Sequence, residues 1–331
     1  MLINLHSHLE GRVRPSTATE LASQLGLSTP AGGWEDAIRL QKPGTLTEYL
    51  VKVAATYPFF QDPEAVFRIA REAVEDAANG GLDYLEVRFG PATHAQTRQG
   101  LDDIVRAVVD GLRDGAESTG ISVGAVVAAL RHHDEATNIS VARSAESFAG
   151  NGVVGFDLAG DERLFPHLEP HRKPFAIARS AGLGITCHAA EAGPATAARE
   201  AVTLLGATRI GHGAHIVDDP EVLSWAAGEG IVVEVCPTSN WFTGAISSLD
   251  EHPAPRFREA GILLVVGDDN PRQTGTELAH ERDLLRSRFG WTPADDSTLD
   301  QTSITAAFLD APTRARLTAA HEQEVRCLPI A

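Results

Sequence analysis

The chain has 331 residues, of which 43% are hydrophobic and 22% are charged. This composition is ordinary for a globular protein, and it excludes collagen, a coiled coil or disorder as a description of the whole chain. The formal net charge of −17 argues against nucleic acid and anionic membrane surfaces as partners, because both require a basic face. A small-molecule substrate and a bound metal cation are compatible with it.

The cysteines and the start of the chain bear on the cellular compartment. Three cysteines without a CxxC pair argue against a disulfide framework, a thiolate zinc site or a redox motif. No apolar run approaches the roughly 20 residues that a membrane span needs. Polar residues at His6, His8 and Glu10 interrupt what would otherwise be the apolar part of a signal peptide. We therefore expect a cytoplasmic protein.

Short β-branched runs alternate with helical patterns along the chain. The predicted strands are Leu2–His8, Leu82–Phe89, Ser122–Leu130, Val153–Leu158, Gly184–His188, Thr208–His212, Ile231–Cys236 and Ile262–Asp268. Most are near-continuous apolar runs, typical of parallel strands that are covered on both faces. Eight β/α alternations favour a (β/α)₈ TIM barrel, with an open doubly wound sheet as the alternative.

Two segments are predicted to add helices to this barrel. The stretch from Gly11 to Pro63 is too long for a simple connection, and we expect additional helices over the barrel mouth. After Asp269 the chain has helical patterns to its end. No linker, low-complexity segment or repeat interrupts the sequence, so we expect a single domain over residues 1–331.

Polar residues fall at the ends of the predicted strands. His6 and His8 are two residues apart at the end of the first strand, so both imidazoles point to the same side. His188 ends the fifth strand and Asp268 ends the eighth. Because the carboxyl ends of barrel strands meet at one mouth, we expect three imidazoles and one carboxylate to bind a metal ion there. These ligand types suit zinc, although iron and manganese fit similar sets.

Glu191 and His212 would lie beside that ion as unbound acid/base groups, because they follow or end neighbouring strands. Each feature alone has an ordinary alternative: histidines pack in cores, and Asp268-Asp269 is typical of a helix cap or turn. The predicted convergence of several strand ends is what favours a metal site.

Competing motifs are missing from the sequence. HExxH, GxSxG, GxxxxGK[ST] and GxGxxG do not occur, and the HxE at His8 has no downstream PCxxC of the cytidine-type deaminases. Binuclear barrel hydrolases often carry a bridging carboxylated lysine on the fourth strand. None of Lys42, Lys52 and Lys173 lies there, which favours one ion per chain.

Several segments between residue 5 and about residue 270 resemble, in order, the motifs of the adenosine deaminase family. They are Leu5-His6-Ser7-His8-Leu9-Glu10-Gly11, Leu85-Glu86-Val87-Arg88-Phe89, Gly155-Phe156-Asp157-Leu158-Ala159-Gly160-Asp161-Glu162, His188-Ala189-Ala190-Glu191, Arg209-Ile210-Gly211-His212-Gly213, Cys236-Pro237-Thr238-Ser239-Asn240 and Gly267-Asp268-Asp269. The resemblance implies a metal-containing (β/α)₈ barrel.

The resemblance also implies roles in metal binding and catalysis. The zinc ligands would be His6, His8, His188 and Asp268. Glu191 would protonate the purine nitrogen N1 while C6 is attacked, which requires a carboxyl group with a raised pKa. His212 would orient the attacking water, and Asp268 would contact both the metal and this water.

Substrate contacts follow from the same resemblance. Asp269 would hydrogen-bond N7 of the base, and Gly160 would offer its backbone N–H to N3. Glu10 stands where adenosine-specific members usually carry the Asp that contacts the ribose 5′-hydroxyl. An apolar lid would include Leu46, Tyr49 and Leu50, whose spacing also fits an amphipathic helix that merely packs on the barrel.

The implied function is zinc-dependent hydrolytic deamination of a purine nucleoside, converting adenosine or deoxyadenosine to inosine or deoxyinosine and ammonia. The alternatives are adenine deamination, deamination of 6-aminodeoxyfutalosine in menaquinone biosynthesis, and hydrolysis of another aminated heterocycle on the same barrel. A binding barrel without catalysis is a further alternative. AMP is disfavoured, because the sequence has no clear basic cluster for a phosphate.

Overall fold

The computed structural model describes residues 1–95 and 98–327. Within these residues eight strands each pair in parallel with the next, in the order β1 to β8. Their bounds are β1 Ile3–His8, β2 Tyr84–Phe89, β3 Ser122–Leu130, β4 Val153–Ala159, β5 Gly184–Ala189, β6 Arg209–His212, β7 Val232–Val235 and β8 Leu263–Val266. The predicted TIM barrel is confirmed, and the strand bounds differ from the prediction by at most two residues.

Helices cover the strands, the mouth and the far end of the barrel. Their bounds are α1 Pro15–Gln24, α2 Gly33–Ile38, α3 Leu46–Ala54, α4 Pro63–Asn79, α5 Arg98–Thr119, α6 Glu135–Ser147, α7 Arg172–Ser180, α8 Thr196–Glu200 with a π-helical continuation Ala201–Leu205, α9 Pro220–Gly228, α10 Pro237–Phe242, α11 Ala254–Ala260, α12 Pro271–Thr274, α13 Leu278–Phe289, α14 Pro293–Ala306 and α15 Ala311–Cys327. The predicted additional helices are therefore α1 to α3 before β2 and α12 to α15 after β8. In the described part of the chain no helix is long and apolar enough to cross a bilayer.

The barrel closes between β1 and β8 at the mouth. The Asp269 N–H donates to the His6 carbonyl at 3.0 Å, and the His8 N–H donates to the Asp269 carbonyl at 2.7 Å. Gly267 permits this approach, because a Cβ there would lie 2.6 Å from His6 Cβ. The seam of the barrel therefore holds residue 269 between the two histidines of β1.

Alternate residues of each strand face different surroundings. In β2, Leu85, Val87 and Phe89 belong to the large hydrophobic cluster that includes α4 and α5. Glu86 and Arg88, between them, are completely buried and pair with other charged side chains. The larger apolar layer thus lies between strands and helices. The barrel interior holds buried ion pairs and a smaller apolar cluster against the C-terminal helices.

The C-terminal helices close the end of the barrel opposite the site. Ile304, Ala307 and Leu317 pack on Ile3 and Leu5 of β1. The following segment is tied to the interior as well, because the Phe308 N–H donates to Glu86 Oε1 at 2.7 Å and the Arg209 guanidinium lies 3.7 Å from the Phe308 ring centroid. These described segments therefore cover the end of the barrel opposite the mouth.

Candidate active site

Three imidazoles and one carboxylate converge at the mouth. His6, His8, His188 and Asp269 each place a ligand-type atom within 4.8 Å of the others. Asp269 Oδ1 lies 3.5 Å from His6 Nε2 and 3.3 Å from His8 Nε2, and the Nε2 atoms of His8 and His188 are 3.1 Å apart. Elements far apart in sequence thus bring these four side chains together.

The hydrogen bonds around this cluster test whether it fits a cation. His6 Nδ1 lies 2.8 Å from Glu234 Oε2, and His188 Nδ1 lies 3.0 Å from Asp157 Oδ2. Carboxylates only accept hydrogen bonds, so both Nδ1 atoms carry the ring proton and both Nε2 atoms present lone pairs. His6 Nε2 is buried and has no hydrogen-bond partner. Lone pairs that face one another beside a carboxylate are the arrangement a divalent cation stabilises.

The carboxylate of this cluster belongs to Asp269, whereas the sequence interpretation placed the ligand at Asp268. Asp268 lies outside the cluster, and its Oδ2 accepts a hydrogen bond from Arg12 Nη2 at 2.7 Å. The barrel seam explains the difference, since backbone pairing holds residue 269 between His6 and His8. Asp268 takes no part in this pairing, and its side chain contacts Arg12 instead.

Three residues at this mouth adopt left-handed backbone conformations although they are not glycine. The φ angles are 54° at Ala190, 63° at His212 and 54° at Asp269. Such conformations cost free energy and persist where the surrounding structure imposes them, often at functional sites. All three lie just beyond or at the end of a strand, where side chains must be directed into the mouth.

A buried ionic network supports His6 and His188 of the cluster. Arg88 donates to Glu234 Oε2 at 2.9 Å and to Asp157 Oδ2 at 3.3 Å. Glu234 also accepts from Arg209 Nε at 2.7 Å. Burial by itself would raise the pKa of Asp157, but His188 and Arg88 lower it, so this carboxylate stays ionised. One guanidinium therefore links the carboxylates that orient His6 and His188.

Glu191 and His212 lie beside the cluster, as the sequence led us to expect. Glu191 Oε2 is 3.9 Å from His212 Nε2, and Glu191 Oε1 is buried without a hydrogen-bond partner. Burial, together with the charge of Asp269, raises the pKa of Glu191 to about 8. At neutral pH this carboxyl group is therefore mainly protonated and able to donate.

A second carboxylate holds the loop that carries Glu191. Glu162 accepts hydrogen bonds from the backbone N–H groups of Ala190, Glu191, Ala192 and Gly193, at 2.9 to 3.1 Å. This loop follows β5, and Glu162 follows β4. Four donors on one buried carboxylate leave the loop little freedom, so Glu191 is held at a defined position.

A cavity of about 350 Å³ opens above the cluster. The lining includes the six side chains or backbones predicted to contact substrate, namely Glu10, Leu46, Tyr49, Leu50, Gly160 and Asp269. His8, His188, Glu191 and His212 line it too. Lysine and arginine do not occur among its described lining residues, whereas four carboxylic acids do. The cavity therefore suits a neutral molecule better than an anion.

Glu10 is tied to the wall of this cavity. Its Oε1 accepts hydrogen bonds from the Gly90 N–H at 3.1 Å and from His94 Nε2 at 3.0 Å. Burial would raise the pKa of Glu10, but the His94 contact lowers it. An ionised acceptor thus lines the cavity beside β2.

Helix α3 covers the cavity and reaches the cluster of His6, His8, His188 and Asp269. Thr45 and Glu48 form a capping box at its start, and Leu46, Tyr49 and Val53 form its buried face. The Tyr49 hydroxyl donates to Asp269 Oδ2 at 2.8 Å. The sequence predicted Tyr49 as part of an apolar lid and gave no indication of this hydrogen bond.

Other supporting residues were also missed or left unassigned. Glu162, Glu234 and Asn240 are buried polar side chains that contact Glu191's loop, His6 and His212 respectively. Glu234 is an acid inside the apolar run of β7, which is a detectable signal because buried charges are rare unless paired. Asn240 lies in a segment that resembles the family, but its contact with His212 is brought about only by the fold.

The family model described as adenosine deaminase matches residues 2–322. Among curated proteins, an adenosine deaminase of Serratia proteamaculans is 37% identical over 314 residues, covering 93% of this chain and 94% of the relative. An adenosine deaminase of Enterococcus faecalis is 34% identical over 310 residues, covering 93% and 91%.

Solved structures agree in fold over nearly the whole chain. An adenine deaminase of Arthrobacter aurescens has a TM-score of 0.89 at 25% identity, covering 98% of this chain and 99% of that one. A zinc-bound amidohydrolase from Burkholderia ambifaria has a TM-score of 0.88 at 27% identity, covering 98% and 90%. An Arabidopsis N6-mAMP deaminase has a TM-score of 0.86 at 27% identity, covering 97% of each chain. Because the family model and these relatives match nearly the whole chain, the chain belongs to the adenosine deaminase family and is a deaminase that acts on C–N bonds.

Proposed function

We propose that this protein hydrolyses the exocyclic amine of a 6-aminopurine nucleoside, with adenosine or deoxyadenosine as the substrate and one zinc ion per chain. The observation that carries the proposal is the buried Glu191 carboxyl, which has an unpartnered oxygen and shares a cavity with the histidine and aspartate cluster.

His6, His8, His188 and Asp269 would hold the ion. Zinc, when bound, supplies Lewis acidity that lowers the pKa of a water molecule to roughly 7. The zinc-bound amidohydrolase of similar fold supports this choice of metal.

The proton steps are assigned to Glu191 and His212. Glu191 is mainly protonated at neutral pH and would donate to purine N1, which makes C6 more electrophilic. Water adds its oxygen to C6 and gives up two protons, one of which restores the Glu191 carboxyl group. The other goes to the amino group, which leaves as ammonia when the bond from C6 to that nitrogen breaks. His212, beside Glu191, would orient the incoming oxygen.

The register at the barrel seam reassigns the contact to the base. With Asp269 in the metal cluster, the hydrogen bond to N7 passes to Asn270, which also lines the cavity. Its Oδ1 is buried without a partner, and rotation of the amide presents N–H groups to an acceptor such as N7. The backbone N–H of Gly160 would serve N3.

The cavity favours a nucleoside over a nucleotide. Its described lining carries acids and no lysine or arginine, which is unfavourable for a phosphate. A nucleotide such as the one in the name of the Arabidopsis neighbour is therefore disfavoured as substrate here. Glu10, an ionised acceptor on the wall, suits a sugar hydroxyl.

A substrate panel tests this function. The zinc-loaded protein is mixed with adenosine, deoxyadenosine, adenine, AMP and 6-aminodeoxyfutalosine, and ammonia release is measured. We expect the largest kcat/KM with adenosine or deoxyadenosine and little activity with AMP. Absence of turnover with all five would reject the proposal, and a preference for AMP would reject the argument from charge.

Free adenine is the second candidate, because the neighbour with a TM-score of 0.89 is an adenine deaminase. A kcat/KM for adenine above that for adenosine would favour it. Ammonia release from another aminated heterocycle in a wider panel would favour that compound as substrate. Binding of these compounds without any turnover would favour a binding protein.

A further inference from the structure

A chain of hydrogen bonds runs from the start of helix α11 to His212. Ala254 donates its backbone N–H to His252 Nδ1 at 3.1 Å. His252 Nε2 lies 3.2 Å from Asn240 Oδ1, and Asn240 Nδ2 lies 3.0 Å from His212 Nδ1. Asn240 and His252 are 0% and 3% exposed, so water does not substitute for these partners.

The direction of each of these hydrogen bonds follows from the first one, which the Ala254 N–H donates. A backbone N–H can only donate, so His252 Nδ1 is an acceptor. Burial lowers the pKa of His252 to about 3, and the neutral ring therefore carries its proton on Nε2. That N–H needs an acceptor, which places Asn240 Oδ1 toward His252 and the Asn240 amide N–H₂ toward His212 Nδ1.

These hydrogen bonds leave His212 with one tautomer. Its Nδ1 accepts from Asn240, so its proton lies on Nε2, the nitrogen 3.9 Å from Glu191 Oε2. We propose that Asn240 and His252 are positioning residues that hold His212 as an Nε2–H donor toward the reacting oxygen. A nitrogen that carries a proton has no lone pair for a metal. The hydrogen bonds from His252 through Asn240, which we call the relay, therefore keep His212 from acting as a metal ligand, although its ring centroid lies 4.6 Å from that of His6.

This inference rests on the proposed function for its catalytic consequence, whereas the tautomer itself can be measured without substrate. Zinc-loaded protein labelled with ¹⁵N-histidine is studied by NMR at neutral pH, with the His212 signals assigned by comparison with His212→Gln. We expect the Nε2–H tautomer in the wild-type protein. An Nδ1–H tautomer overturns the proposal.

Asn240→Asp gives a nearly isosteric test. A carboxylate accepts on both oxygens, so it still accepts from His252 but now requires a proton on His212 Nδ1. We expect the tautomer to reverse and kcat to fall by about 10²- to 10⁴-fold, the range for a wrong tautomer or a lost proton-transfer group, while KM changes little. Unchanged kcat in a folded, zinc-replete variant contradicts the proposal.

Substitutions at His252 provide the matched pair should Asn240→Asp fail to fold. His252→Gln keeps an N–H donor for Asn240 Oδ1, and His252→Ala removes it. We expect the glutamine variant to keep the Nε2–H tautomer and most of the activity, and the alanine variant to lose both. Equal tautomers and equal kcat in the two variants overturn the relay. If none of the five compounds of the substrate panel is turned over but His212 has the Nε2–H tautomer, the proposed function is rejected and the tautomer assignment stands.

Discussion

At the scale of single residues, the decisive feature is which aspartate shares the mouth with the histidines. Asp269 lies with His6 and His8, and Asp268 is paired with Arg12. Two adjacent acids of the same type therefore have different surroundings and different expected effects on metal binding.

Asp269→Asn and Asp268→Asn form a matched pair for this assignment. We expect Asp269→Asn to lower zinc affinity by at least about 100-fold, because even the partners of metal ligands contribute about 10- to 100-fold. Asp268→Asn should retain a full equivalent of zinc, with the free energy of unfolding lowered by about 1–3 kcal/mol through the weakened Arg12 contact. Metal analysis after dialysis measures both, and zinc loss from the Asp268 variant alone would restore the sequence assignment.

The raised pKa of Glu191 predicts that activity falls at high pH. Its carboxyl group has a pKa raised to about 8 by burial, so the acid form is present below that pH and is lost as the pH rises through it. We expect kcat to decline above about pH 8. Glu191→Gln should keep the zinc and lose activity by about 10²- to 10⁴-fold, because proton donation is removed without a ligand. A variant with wild-type kcat would refute the role of Glu191 as the acid.

At the scale of elements, helix α3 is connected to the proposed metal site as well as to the cavity. Tyr49 lies on its buried face, and its hydroxyl reaches Asp269 Oδ2, which Ser239 also contacts at 2.5 Å. The helix that covers the cavity therefore also orients a proposed ligand.

Tyr49→Phe separates these two functions of the helix. The phenyl ring keeps the apolar packing, and the hydrogen bond to Asp269 is lost. We expect zinc affinity to fall by about 10-fold, at the lower end for partners of metal ligands because Ser239 remains. Competition with a chelator measures this affinity, with Leu50→Met as a control that alters the same helix without touching Asp269. An unchanged affinity would show that the hydroxyl does not orient the carboxylate.

At the scale of the whole molecule, the mouth is held by strands from both ends of the chain. β1 and β8 meet through Asp269, and the ionic interior joins β2, β4, β6 and β7 beneath the histidines. A cation at the mouth would therefore stabilise the closed barrel, because it binds the folded chain in preference to the unfolded one.

Removal of zinc is expected to lower the melting temperature of the protein. Free zinc at about 1,000 times its Kd adds roughly 4 kcal/mol to the free energy of unfolding. Calorimetry with and without a chelator measures this difference. Asp269→Asn should show a much smaller zinc-dependent shift, and an equal shift in both proteins would place the stabilising ion elsewhere.

Much of this protein could be predicted from sequence because the signals are local or periodic. Apolar runs separated by helical patterns identified the eight strands, and the two-residue spacing of His6 and His8 placed both imidazoles on one side. The polar strand ends identified His188, Glu191 and His212 as neighbours. The single-domain and cytoplasmic assignments stay predictions.

The tertiary structure alone decided how separate strands are aligned with one another. The choice between Asp268 and Asp269 depends on backbone hydrogen bonds between β8 and β1, and the role of Tyr49 depends on how α3 packs over the mouth. The direction of the Asn240 amide depends on a helix end twelve or more residues away. Local propensity specifies which side of its own strand a residue occupies, whereas register between strands and contacts across the barrel arise only when the sheet closes.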